Sequence, residues 1–143
     1  MSDKRQDPSQ AEYATAIEEN LFAFIPLLGK LGRMECNSPP GVKRSICNLP
    51  HPLFNSIMDA RLAPTQVDSA IQTILSDAAG RKVPILWWMS PSTRPADLGD
   101  HLIDHGFTLD DNSPGMAVDL EQLNEDLPKP EGFSIHRAQD ETA

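Results

Sequence analysis

Apolar positions recur at helical spacing in three stretches of the chain, and between them the pattern shifts to short alternating or continuous apolar runs. The first stretch carries Ala14, Ile17, Leu21, Phe24, Ile25 and Leu28. It follows Ser9-Gln10-Ala11-Glu12, a capping box in which the serine side chain takes the Glu12 amide and the glutamate reaches back. This predicts a long amphipathic helix, with a kink at Pro26 and an end punctuated by Gly29 and Gly32. The second stretch, Val67, Ala70, Ile71, Ile74, Leu75 and Ala78, predicts a helix over 65–79, capped by Thr65 and closed by Gly80. In the third, Leu98, Leu102 and Ile103 share one face of a helix over 95–107. Ser92 or Thr93 would cap it, Pro95 suits its first turn, and Gly106 would stop it with Phe107 folding back.

Strand signals fill the gaps. Residues 33–37 are short and mixed, and Ser38-Pro39-Pro40-Gly41 marks a turn. Residues 42–49 alternate as a half-buried strand does, Pro50-His51-Pro52 breaks the run, and 54–62 reads as a third strand. The β-branched and aromatic run 83–89 reads as a buried strand ended by Pro91. Residues 116–120 (MAVDL) and 132–137 (GFSIHR) read as two more strands, and Asp140-Glu141 as a helix start. The order is helix, two or three antiparallel strands, helix, strand, helix, strand. Short connections favour antiparallel neighbours, and a crossover helix favours a parallel one. The expected class is α/β, an α+β mixed sheet that is mostly antiparallel and flanked by helices. Residues 1–8 form a polar, frayed N-terminus, 9–120 the main lobe, 121–131 a charged linker, and 132–143 the start of a second, truncated lobe.

Composition narrows the partners. The 143 residues are enough for one ordinary core. Twelve basic against 21 acidic residues leave a net charge of −9. That argues against a nucleic-acid partner and against adsorption to anionic membranes. No apolar run approaches the roughly 20 residues of a membrane span, and the N-terminus has no apolar signal core. Cys36 and Cys47 are the only thiols and lack C-x-x-C spacing, which points to a reducing, cytoplasmic setting, with a disulfide between them as the minority reading.

Candidate chemistry is sparse. His101 and His105 share a helix face and an i, i+4 pair can bind zinc, but Leu102-Ile103-Asp104 between them is not the metalloprotease pattern. With Asp97 and Asp104 nearby, a solvated polar face is the favoured reading and no metal is assigned. Cys47 and His51 are close in sequence, yet a nucleophile–base pair also needs a cleft and a lowered thiol pKa. A structural thiol is favoured. Asp110-Asp111-Asn112 lacks the spacing of a calcium loop. Trp87 and Trp88 point to opposite faces of their strand. Core on both sides is the favoured reading, and a cleft floor is the other. His51, Phe54 and Asn55, in a proline-broken loop, are with Trp88 the candidate groove or interface residues, and a stiff turn is the competing reading for the loop. No catalytic residue is assigned.

The whole pattern resembles the GNAT superfamily of N-acetyltransferases, and most closely the degenerate N-terminal lobe of two-lobed members. The resemblance is carried by 86–99 (LWWMSPSTRPADLG), by His105-Gly106-Phe107, by Gly115-Met116, and by 130–137 (PEGFSIHR), which is similar to the opening strand of a following catalytic lobe. It implies a meander over 33–62, a helix over 65–79, a strand over 83–89 and a Gly-Phe-terminated helix over 95–107. For the parent enzyme it implies acetyl transfer from acetyl-CoA to an amine. Members hold the coenzyme pyrophosphate on a glycine-rich loop at the start of the helix after the fourth strand. The matching positions here, Ala63, Pro64, Thr65 and Gln66, contain no glycine, and Asp68 follows. The resemblance therefore implies a non-catalytic lobe without cofactor of its own, partnered by a catalytic lobe or by another copy. The alternative is a stand-alone interaction or ligand-binding module that kept the fold and lost the cofactor.

Overall fold

Ser9 and Glu12 form both halves of the predicted capping box. The Ser9 Oγ accepts the Glu12 amide at 3.3 Å and the Glu12 carboxylate accepts the Ser9 amide at 2.6 Å. They start α1, Gln10–Gly29, which runs through Pro26. The computed structural model describes residues 9–30, 32, 34–124, 126–128 and 130–137. The expectations for 1–8 and for a helix start at Asp140-Glu141 lie outside them.

After α1 come β1 (Glu35–Asn37), β2 (Lys43–Ile46), β3 (Asn55–Met58), α2 (Val67–Arg81), β4 (Leu86–Trp87) and α3 (Leu98–Asp104). The strands form one sheet in the order β1-β2-β3-β4. The first two pairings are antiparallel and β3–β4 is parallel, with α2 as the crossover. Among the described residues the molecule is thus a mixed α/β fold of one four-stranded mixed sheet and three α-helices.

Alternation along the strands sends side chains to two faces. On one face Ile57, Val67, Ile71 and Leu98 are fully buried together, joined by Trp87 and Leu102. Phe107 closes this core edge-on to Trp87, 6.1 Å between ring centroids. Each such side chain contributes roughly 1.5–3 kcal/mol by leaving water. The same face is tied at its rim by ions. Asp77 of α2 accepts from Arg44 Nη1 at 2.8 Å and from Arg81 Nε at 3.0 Å, and Arg81 Nη1 reaches Glu35 at 2.8 Å. The other face, with Ser45, Ser56 and Met58, lies under α1, whose Phe22 ring carries the Lys43 ammonium 5.4 Å from its centroid.

Several boundaries differ from the sequence reading. The third strand stops at Met58 rather than Leu62, because Asp59 turns the chain in the left-handed region (φ 50°), held by Lys43 and Arg61. Phe54 belongs to a 3-10 turn, Pro52–Phe54. Thr65 does not cap α2. It lies inside a second 3-10 turn, Pro64–Gln66, and the helix starts at Val67. The strand expected over 83–89 pairs only at Leu86–Trp87, since its partner β3 is itself four residues long. Ser92 and Thr93 do not cap α3. The Thr93 hydroxyl accepts the Ser90 amide at 2.9 Å, and α3 begins at Leu98 behind Asp97. Gly106 does stop α3 (φ 88°), with the Phe107 amide returning to Leu102 at 3.0 Å. Neither 116–120 nor 132–137 is a strand. Both are exposed and lack a strand partner, apart from a single 3-10 turn, Leu120–Gln122, that begins at the end of the first.

Candidate functional site

The parallel pair β3–β4 ends in one bond past the strand, from the Trp88 amide to the Ile57 carbonyl at 2.8 Å. Beyond it the two chains part. Alternation puts Trp87 in the core beneath α2 and Trp88 on the α1 face. Trp88 is half-buried, and its Nε1 donates to Ser56 Oγ at 3.4 Å, whose hydroxyl donates to the Leu53 carbonyl at 3.0 Å. The chain then turns through Ser90-Pro91-Ser92-Thr93. The turn is closed by the Thr93 amide on the Ser90 carbonyl at 3.0 Å, with Thr93 buried.

This turn meets α1 through one contact that spans 74 residues: the Ser92 amide donates to Glu18 Oε1 at 3.2 Å. A third wall comes from the extended segment 113–118. It crosses α1 where Gly115 lies on Ile17, so closely that a Cβ there would stand 3.0 Å from Ile17 Cδ1. The three walls enclose an open groove of about 1180 Å³. Tyr13, Ile17, Leu21, Trp88 and Met89 make it mostly apolar and aromatic, and among the described residues Glu18 is the one charged residue lining it. Among the described residues no lysine, arginine or histidine pairs with Glu18. The arrangement can hold an apolar body and balance one positive charge.

Of the four groove residues named from sequence, Trp88 alone lines this groove. Asn55 is fully buried. Its side chain accepts the Cys47 amide at 3.2 Å and donates to the carbonyls of Leu49 at 2.7 Å and His51 at 3.0 Å. His51 accepts the Leu53 amide on Nδ1 and meets the Phe54 ring edge-on at 5.7 Å. Asn55 thus ties the Pro-His-Pro loop from inside. Cys47 is bonded through its backbone to Asn55, and Cys36 lies beneath α1, where burial raises its thiol pKa. Both thiols are free.

His101 Nδ1 meets Asp68 at 2.9 Å and His105 Nδ1 meets the His101 carbonyl at 2.8 Å. The hydrogen bond to Asp68 raises the His101 pKa against some desolvation, helped by the charges of Asp68, Asp97 and Asp104. These groups tie α3 to the start of α2. No group of three or more potential metal ligands is found among the described residues. Asp111 turns its carboxylate onto the Asn112 amide at 2.7 Å, on the surface.

Residues 63–68, where the resemblance would place a coenzyme loop, are poor in phosphate donors. Pro64 has no N–H to offer, the Gln66 amide is turned onto the Ala63 carbonyl at 2.8 Å, and Asp68 sets a carboxylate on the first turn of α2. The reading from sequence missed Glu18 and the 113–118 wall. The available signal for Glu18 was a carboxylate set inside the apolar stripe of Ala14, Ile17, Leu21 and Ile25. The wall gave no signal, because its place on α1 depends on a fold-back that no local pattern encodes. Comparison with protein-family models, curated proteins and solved structures finds no match.

Proposed function

We propose that this chain is a non-catalytic lobe of the GNAT acetyltransferase type, built to pack beside a catalytic lobe rather than to hold acetyl-CoA. The observation that carries the reading is the connectivity: an antiparallel β1-β2-β3 meander, a crossover helix, one parallel strand that parts from its neighbour after two pairs, and a helix ended by Gly106-Phe107. The glycine-free start of α2 supports the loss of the coenzyme site. Acetyl transfer from acetyl-CoA to an amine belongs, on this reading, to the parent enzyme. Calorimetric titration of the chain with acetyl-CoA tests it. The expected outcome is no saturable heat up to about millimolar coenzyme, where binding would be worth only about −4 kcal/mol. Micromolar binding would overturn the pseudo-lobe and make Pro64 and Asp68 the residues to mutate.

A further inference from the structure

We infer that the groove between α1 and the end of β4 takes a basic amphipathic helix of a partner protein, pairing one of its cations with Glu18. Charge carries the first part of the argument. Among the described residues, Glu18 is half-buried, is the only ion on a mostly apolar lining, and has no cation partner. A half-buried carboxylate in a groove that Trp88 and Tyr13 also line is completed by an ammonium or guanidinium. The chain's net charge of −9 draws a basic partner toward the surface and disfavours an acidic one.

Size and surface decide what carries the cation. The α1 side of the groove runs from Gln10 to Phe24, which at about 1.5 Å per residue is about 21 Å, close to four turns of a docked helix. The volume of about 1180 Å³ exceeds the roughly 300–1,000 Å³ usual for small-molecule sites. Its rim exposes Phe24, Met89, Met116 and Val118, Met116 to 90%. Methionine-bearing apolar rims around a groove suit an amphipathic helix, whose apolar face they can follow without a fixed shape. A single small amine would satisfy Glu18 and leave that rim in water. None of Ala63 to Asp68 lines the groove, so this inference and the acetyltransferase-lobe reading fail on separate measurements.

The probe is an 18-residue leucine–lysine peptide with helical spacing, compared with a scrambled peptide of the same composition, followed by tryptophan fluorescence and calorimetry. Micromolar binding is expected, with the scrambled peptide about tenfold weaker, since the ordered apolar face is what the groove reads. Glu18→Gln keeps an oxygen for the Ser92 amide, so the fold persists, and it should weaken binding about fivefold. Glu19→Gln, an exposed neighbour outside the groove, should change it less than about twofold. Met116→Ser, at a fully open position, should also weaken binding. Absence of saturable binding at about millimolar peptide overturns the inference. Equal losses for the Glu18 and Glu19 variants overturn it in favour of general acidity. If benzylamine binds as tightly, with the same Glu18 dependence, the groove is a small-amine site. A dimer in sedimentation that the peptide does not displace assigns the groove to a second copy.

Discussion

Asn55 and His51 stand four residues apart, and the fold gives them opposite weights. Asn55 is fully buried and ties three backbone groups, while His51 bonds only to its own turn at the surface. Asn55→Ala would leave the Cys47 amide without its partner, while the Leu49 and His51 carbonyls keep the amides of His51 and Phe54. The expected loss is about 2 kcal/mol, because one unpaired buried polar group costs about 1–3 kcal/mol. His51→Ala should cost no more than about 0.5 kcal/mol, and urea unfolding of both variants reads the difference. Equal effects would favour a binding loop over a stiff turn. Gly41 makes a second test. Its φ is +81°, and a Cβ would stand 2.7 Å from Leu62 Cδ2 and 3.0 Å from the Arg61 carbonyl, whose amide bonds to the Gly41 carbonyl. Gly41→Ala should destabilise by about 2 kcal/mol, from left-handed strain and the clash together. A change below about 0.5 kcal/mol would mean that this contact between the β2 and β3 ends relaxes freely.

Between elements, the His101–Asp68 contact joins α3 to the first turn of α2 and gives stability a pH dependence. The folded-state pKa of His101 is raised above the ordinary 6.5, first by the Asp68 hydrogen bond. The added stability is therefore fully present below 6.5 and is lost as pH rises through the folded pKa. Thermal melts of the wild type should rise on acidification through that window more than those of His101→Asn. Parallel curves would show that Asp97, Asp104 and His105, which surround the group, do not leave the pair to act. The element scale is also where sequence legibility is uneven. The capping box of α1 and the glycine stop of α3 were legible because both are local: Ser9 with Glu12, and Gly106 with the returning Phe107 amide. The extent of β4 was not, because residues 83–89 are apolar throughout while only Leu86–Trp87 find a partner strand. The 116–120 pattern failed for the same reason. Alternation marks a segment able to pair, and pairing needs an edge within reach. Trp88 was legible as one of two faces of a tryptophan pair, whereas Glu18 acquires its meaning from Ser92, 74 residues away.

At the scale of the whole molecule, the mixed α/β class followed from the order of periodic stretches, and the sheet and three helices are complete by Asp104. Beyond them the chain leaves large apolar side chains open, Leu127 at 71% and Ile135 at 83% among them. No helix among the described residues is long and apolar enough to cross a membrane, so these side chains do not belong to a spanning segment of that kind. If they face water in the free chain, they add nothing to its stability. A variant ending at Leu123 should then unfold within about 0.5 kcal/mol of the full chain. A variant ending at Asn112 also loses the 113–118 wall and uncovers Ile17 of α1. It should lose about 1 kcal/mol, the order expected for re-exposing part of one large aliphatic side chain. Urea unfolding of the three lengths decides between two pictures. A large loss already at Leu123 would mean that the open apolar positions are buried in solution against the sheet. Loss confined to the second cut would leave them a free surface, and the 113–118 wall a fixed part of the groove that Glu18 serves.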